Sequence, residues 1–383
     1  MSGSESAGLL RRDIWLLPLI ALLTVALMAG SCELVARTYF YESMAGMGAC
    51  FDYSDPARGV RGRPLTRCHV KSRESDDVEF RLDAKGYRND QALAPQRPDV
   101  LRIVLIGSSI AMGERVRAAG SPAVLLAQRL AMLTGRQVEV YNEGMAYGFA
   151  RNADLHFQDS LDAKPHLILW LVTPLDVARS EVILPNAPGP QAADAASTGL
   201  KARLLQYIRA QGGEVVAGQL LRHYLYEAQS EDQFIHAALR GLSPDDDSGF
   251  LLVRPGSAWQ QHWSDFTKHA HHMLMRAAAA GVPMVVTFVP NRLQAAMLSA
   301  GEWPDGYAPK DIGDRVRQIV AANGGTFVDV LPHFTELAGA EHFYLAIDGH
   351  PTPAGYRFIS EALALEMTAG TLPGLARTRQ EVR

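Results

Sequence analysis

The stretch VLRIVLIGSSIAMGE, residues 100–114, opens as a short apolar, β-branched run and breaks into a glycine turn with two adjacent serines. Such a run suits a strand covered on both faces, because neither side of it meets water. SPAVLLAQRLAMLTG (121–135) follows, with its apolar residues at helical spacing. Ser121 stands at the N-cap, Pro122 at the first helical position and Gly135 at the stop. The alternation then repeats. QVEVYNEG (137–144) reads as a strand, ARNADLHFQDSLDA (150–163) as a helix and HLILWLVTP (166–174) as a strand. Residues 258–280 read as a helix and VPMVVTFVP (282–290) as a strand. After a further helix, GGTFVDV (324–330) is the last strand and TPAGYRFISEALALEMTA (352–369) the closing helix. Strands alternating with helices predict an α/β fold, three layers deep (α/β/α), on a parallel sheet.

Outside this rhythm the text changes. Residues 178–257 begin as a loop, LPNAPGPQAADAAST, and continue in helical segments (LKARLLQYIRAQ, EVVAGQLLRHYLYEAQ), which predicts a mostly helical cap inserted between two strands. Residues 39–98 read as a connector with short β elements. Within it VEFRLDAKGYRND alternates apolar and polar residues, as an edge strand or hairpin ending at Gly86 would. Arg58, Arg61, Arg63, Arg67, Lys71 and Arg73 form an interrupted basic run that reads as a solvated part of this connector. The main domain is expected over 99–372, with a loose polar tail at 373–383.

The chain has 383 residues, 48% of them hydrophobic, and a net charge of -4, which excludes disorder and gives no electrostatic case for nucleic acid. Ile14 to Cys32 carries no charge and follows Arg11 and Arg12. A helix of that length nearly crosses a hydrocarbon core of about 30 Å. Paired arginines before it keep the N-terminus in the cytoplasm and send the rest across. Residues 1–38 are therefore read as a single-pass anchor in the inner (cytoplasmic) membrane, with the main domain periplasmic. A cleaved signal peptide, or a lipoprotein site at AGSC, is the rival reading. ELVARTYFYE continues the helical pattern without a break and favours the anchor. Export would carry Cys50 and Cys68 into an oxidising compartment, where such a pair closes a disulfide.

In an open parallel sheet, ligands sit outside the carboxyl ends of the strands. The first strand delivers IGSSIAMG there, the second NEGMAYG and the third TPLD. The last leads to DGHPTPAGY. A serine, a glycine turn, an aspartate and a histidine on one rim point to nucleophilic catalysis. A serine hydroxyl attacks at neutral pH only if a histidine takes its proton and N–H groups hold the oxyanion.

In these blocks the chain resembles the SGNH (GDSL-type) hydrolases. Their GDS block with a glycine four residues past the serine is similar to Gly107-Ser108-Ser109 with Gly113. Their second block is similar to Asn142 and Gly144, and their closing Asp and His to Asp348 and His350. Glu33 and Arg37 at the end of the apolar segment, then Gly86 to Arg88 (GYR), resemble the prelude of membrane-anchored bacterial members. The resemblance covers about residues 80–177 and 280–370. It implies Ser109 as nucleophile, His350 as general base then acid, and Asp348 as the group that orients the imidazole. The N–H groups of Ser109 and Gly144 would form the oxyanion hole, with Asn142 as a further donor. Ser108 replaces the family's aspartate. Leu175 stands where the family places an asparagine that donates to the oxyanion, and Asn142, Thr173 or Asn291 would have to substitute. Asp176 is read as a structural cap.

Other residues carry less. Asn291 and Arg292 lie at a strand end and either line the pocket or make an ordinary turn. His269, His271 and His272 share a helix, but no partner carboxylate is placed near them, so a solvated face is expected and no metal. Trp259 and Trp263, at helical spacing, read as packing. GSSIAMG lacks the Lys-Ser/Thr of a phosphate-binding P-loop. The expected function is a serine esterase or O-acyltransferase, without cofactor, acting on acylated envelope carbohydrate or exopolysaccharide beside envelope polysaccharide assembly proteins. The alternative is a non-catalytic binding or scaffold module of the same fold, which Leu175 favours.

Overall fold

A computed structural model of the chain describes residues 11–40, 45–55, 57–90, 92–180, 215–370, 372 and 375–376. It divides into two compact units, Met1–Glu42 with Asp194–Leu225, and Ser43–Ala193 with Tyr226–Arg383. The predicted segment LKARLLQYIRAQ lies outside the described residues. Where the predicted insertion is described it is helical, as Val216–Glu227 and Glu231–Leu239.

In the first unit one helix, Arg11–Tyr39, continues through Cys32 without a break. Its stretch Trp15–Thr38 has 24 residues, the most apolar 18 of which have a mean hydropathy of 2.1, with its large apolar side chains exposed. At about 1.5 Å per residue it is long enough to cross a bilayer core. Glu33 pairs with Arg37 at 2.7 Å and accepts the N–H groups of Val216 and Ala217 at 3.0 and 2.9 Å.

The second unit is built on five strands: β1 (Val100–Gly107), β2 (Gln137–Asn142), β3 (Leu167–Val172), β4 (Met284–Phe288) and β5 (Thr326–Val328). Every pairing among them is parallel and the spatial order is 2-1-3-4-5, the flavodoxin-like arrangement. All residues of β1, β3 and β4 are buried, whereas β2 and β5 keep partly exposed positions at the edges. That difference is why the inner strands read as unbroken apolar text. Helix Pro122–Thr134 packs on the closing helix Pro353–Met367. Helix Ala258–Ala279 packs on Ala150–Leu155, Pro174–Ala178 and Asp311–Ala322. With the right-handed crossovers that parallel sheets almost always have, these two groups fall on opposite faces of the sheet.

Two helices differ from expectation. The predicted helix over 150–163 is two, Ala150–Leu155 and Phe157–Asp162, because His156 leaves helical geometry at φ -100°, ψ 5°. Its Nδ1 is held by the Arg61 guanidinium at 2.9 Å. Between β4 and β5 stand two helices rather than one, since Gly301 in the left-handed conformation (φ 72°) closes Arg292–Ala300 before Asp311–Ala322 begins.

The segment before the sheet packs on it. Arg67–Lys71 and Asp77–Arg81 form an antiparallel hairpin, and a disulfide joins Cys50 to Cys68 with a Cα separation of 5.8 Å. Phe51, Val70, Phe80, Leu82 and Tyr87 belong to the same buried cluster as β1 and β3. Trp259 and Trp263 are buried in this core.

Candidate active site

The turn after β1 is shaped by Gly107, at φ 143°, where a Cβ would stand 2.5 Å from the Leu171 carbonyl oxygen and 2.9 Å from Ala111 Cβ. Only glycine lets the chain turn this tightly under the end of β3. Ser108 is the N-cap and Ser109 the first residue of a single helical turn, Ser109–Met112, which Gly113 closes at φ 76°. Gly144, past the end of β2, lies against that turn. A Cβ there would be 2.4 Å from Met112 N and 2.7 Å from Ala111 C. Gly144→Ala should therefore cost about 1–3 kcal/mol, as overpacking does. A thermal melt unchanged from the parent would mean that Gly144 does not press on the Ala111–Met112 turn.

The loop before the closing helix brings two distant residues to this turn. His350 Nε2 lies 2.8 Å from Ser109 Oγ, and His350 Nδ1 lies 2.5 Å from Asp348 Oδ1. An ionised Asp348 can only accept, so Nδ1 carries the proton and Nε2 accepts the Ser109 O–H. Burial pulls His350 down, but the Asp348 hydrogen bond and charge, with Glu114 adding, outweigh it and raise its pKa. Burial pushes Asp348 up, yet the His350 hydrogen bond and charge, then Arg115, hold it well below the usual carboxylate range. The pair is thus a carboxylate and an imidazole poised to hold a second proton.

Three residues around this pair were not anticipated from the sequence. Arg115 grips the other oxygen of Asp348, with Nε at 3.0 Å and Nη2 at 2.8 Å from Oδ2. The same guanidinium reaches Glu114 Oε1 at 3.0 Å, and Glu114 Oε2 lies 4.0 Å from His350 Nε2. Glu74, in the turn of the disulfide-linked hairpin, accepts the Ile347 N–H at 3.0 Å and the Asp348 N–H at 2.7 Å. Arg88, of the GYR motif, is buried over the Phe80 ring and donates to the carbonyls of Met112, Gly113 and Val116. The segment before the sheet therefore holds both loops that carry the reactive groups.

No family model matches the chain, and no curated protein does. In fold the chain is similar to solved ester hydrolases of the SGNH/GDSL kind. LAE5, an alpha/beta hydrolase enzyme from the metagenome of Lake Arreo, is 17% identical over 68% of this chain and 92% of its own, with a TM-score of 0.38. The lipase/acylhydrolase from Enterococcus faecalis is 14% identical over 70% of this chain and 94% of its own, with a TM-score of 0.38. AlinE4, an SGNH-hydrolase family esterase, is 12% identical over 61% of this chain and 77% of its own, with a TM-score of 0.30. The identity is low in every case, and the likeness is one of fold alone.

The remaining expected site residues are placed as follows. Asn142 is buried and its amide is engaged within the fold: Oδ1 accepts the Gly144 N–H at 2.8 Å, and Nδ2 donates to Ala111 O and Met112 O at 3.2 and 3.4 Å. The expectation that Asn142 donates to an oxyanion is corrected on that ground, and the Gly144 N–H is engaged as well. Asp176 is buried, with Oδ2 accepting from the Thr173 N–H at 2.8 Å, the Thr173 hydroxyl at 2.7 Å and Ser108 Oγ at 3.4 Å. Burial pushes its carboxyl up to about 7 against the pull of the Thr173 and Ser108 hydrogen bonds. Ser108 thus turns into the fold, toward the end of β3, while Ser109 faces His350.

Leu175 lies on the rim, 39% exposed. Asn291 caps the next helix, accepting the Gln294 N–H at 2.9 Å. Arg292 is buried over the Phe234 ring and donates to Glu341 O and Ala346 O, bracing the loop that leads to Asp348. The three histidines are not a plain solvated face. His269 and His272 bracket Asp154 at 2.9 and 2.6 Å, and His271 meets Asn323 at 2.5 Å. That carboxylate comes from a helix remote in sequence, so no spacing rule shows it.

Proposed function

We propose that this chain is a membrane-anchored serine esterase or O-acyltransferase of the SGNH type. One observation carries the reading, the continuous hydrogen-bonded line from Ser109 Oγ through His350 to Asp348. In the first half-reaction Ser109 Oγ bonds to the ester carbonyl carbon and its proton passes to His350 Nε2. Asp348 stabilises the imidazolium. Collapse of the tetrahedral intermediate expels the alcohol, which takes that proton, and leaves an acyl-serine. Water, or a sugar hydroxyl in the transferase version, then loses its proton to Nε2 and attacks the acyl carbon. Collapse breaks the bond to Ser109 Oγ, which takes that proton back as the carboxylic acid, or the new ester, leaves.

The substrate proposed is an O-acylated carbohydrate of the cell envelope or an exopolysaccharide, met beside the proteins that assemble it. Arg11 and Arg12 before the apolar helix support a cytoplasmic N-terminus and a periplasmic site. The Cys50–Cys68 disulfide suits that oxidising compartment. A second reading, a binding module without turnover, is favoured by Leu175 and by the engaged Gly144 N–H. A fluorophosphonate probe on the full-length protein in detergent separates the two. The esterase reading expects labelling that disappears in Ser109→Ala and His350→Ala and persists in Ser108→Ala. Labelling retained by Ser109→Ala removes the nucleophile; no labelling, with p-nitrophenyl acetate untouched, leaves the binding module.

The pH profile adds a second check. General-base action needs neutral His350, so kcat/KM falls as pH drops through its raised pKa, and the acid limb lies above the ordinary histidine value of about 6.5. The Glu114 charge contributes to that rise. Glu114→Gln should therefore move the acid limb to lower pH. A limb that stays in place would mean Glu114 is screened from the imidazole.

A further inference from the structure

Helix Val216–Glu227 carries an apolar stripe that faces outward. At 100° per residue, Ala217, Leu221, Tyr224 and Leu225 fall within an arc of about 100°. Leu221, Tyr224 and Leu225 are 61%, 56% and 54% exposed, whereas Val216, on the opposite side, is 4% exposed. Large apolar side chains gathered on one exposed stripe call for a partner, and single scattered ones do not.

The start of this helix has a fixed level. The uncharged run of the N-terminal helix ends at Cys32, and Glu33 is the first charged residue after it. A carboxylate is costly inside hydrocarbon, so Glu33 marks where the chain leaves it. Both oxygens of Glu33 accept from the first turn of the second helix, at Val216 N and Ala217 N. The stripe therefore begins at the depth of the headgroups.

We infer that helix Val216–Glu227 lies in the interface of the bilayer entered by the N-terminal helix, with Leu221, Tyr224 and Leu225 turned into lipid. This rests on the anchor reading. The composition fits an interfacial helix: leucines for the acyl boundary, a tyrosine of the kind enriched at headgroup level, and Arg222 on the flank, where a lipid phosphate stands. The occupant is the bilayer rather than a second copy, because the pin to Glu33 holds the first turn of this helix at the level where the span leaves hydrocarbon. The consequence for the proposed enzyme is a second foothold on the membrane, besides the anchor.

The test uses the full chain reconstituted in vesicles of phosphatidylcholine and phosphatidylglycerol, in a Cys32→Ser background. An NBD label is placed at Leu225→Cys or at Glu227→Cys, the second about 200° round the helix from the first. Blue-shifted emission at 225, quenched several-fold more by lipids brominated near the headgroup than emission at 227, is the expected result. Water-like emission at 225, in protein that resists alkaline extraction, overturns the inference and leaves the anchor standing. Equal quenching at both positions overturns the oriented stripe. Release by alkali overturns the anchor and the inference together.

Discussion

His350→Ala lowers kcat on an activated ester by about 10⁴- to 10⁶-fold, and adding Ser109→Ala lowers it no further. The two residues act in one event. In the proposed mechanism Ser109 attacks only as His350 Nε2, 2.8 Å away, takes its proton, so either loss removes the whole acylation route. What then remains is whatever the bound geometry and the oxyanion donors do for direct attack by water, which is common to the single and double variants. Independent contributions would multiply, and a double variant several hundred-fold slower than the worse single one would show that the two do not share a step. Steady-state turnover of p-nitrophenyl acetate by the full-length protein in detergent, with active sites counted on the parent by fluorophosphonate, gives the comparison. Equal melting temperatures among the variants keep folding out of it.

The sheet was legible because its inner strands are covered on both faces. VLRIVLI and LILWLV needed no alternation to be read, and Gly107 past the first and Thr173-Pro174 past the second marked the turns. Ser109 could be separated from Ser108 only through the resemblance to the SGNH hydrolases, whose serine-to-glycine spacing it shares with Gly113, and the Asp-x-His before the last helix is a local pattern. The residues that hold those groups in place were not legible. Arg115 reaches Asp348 across 233 positions and Glu74 across 274, and neither stands at a characteristic distance from anything nearby in the chain. The segment before the sheet looked like a solvated link because its strands are short and its charges many. Its buried face is made of alternate residues only, such as Val78 and Phe80, which is too short a run to outweigh the polar text between them. The split at His156 was invisible for the same reason, since the Arg61 guanidinium that holds its imidazole lies 95 residues away.

Leu175→Asn raises kcat by about 10-fold or more and leaves KM nearly unchanged. A single oxyanion donor is typically worth about 10²- to 10³-fold in turnover, and the rim of this site is short of one. The Gly144 N–H is turned to Asn142 at 2.8 Å, and the Asn142 amide is engaged with Ala111 and Met112. Leucine has nothing to donate. Residue 175 sits in the first turn after β3, whose Leu171 pairs with Gly107, two residues before Ser109, and it is partly exposed on the same rim. A side-chain NH₂ introduced there can meet the charge that grows on the carbonyl oxygen during attack. That interaction is stronger in the transition state than with the resting ester, so the gain belongs in kcat. The exchange removes an exposed leucine, and a surface change of this kind usually shifts stability by no more than about 0.5 kcal/mol. Leu175→Asp is the control, because its carboxylate has nearly the same shape and repels the oxyanion; it should slow the reaction. If asparagine and aspartate both leave turnover as it was, residue 175 does not face the oxyanion. If asparagine slows it, leucine there serves substrate packing and the missing donor is supplied by another group.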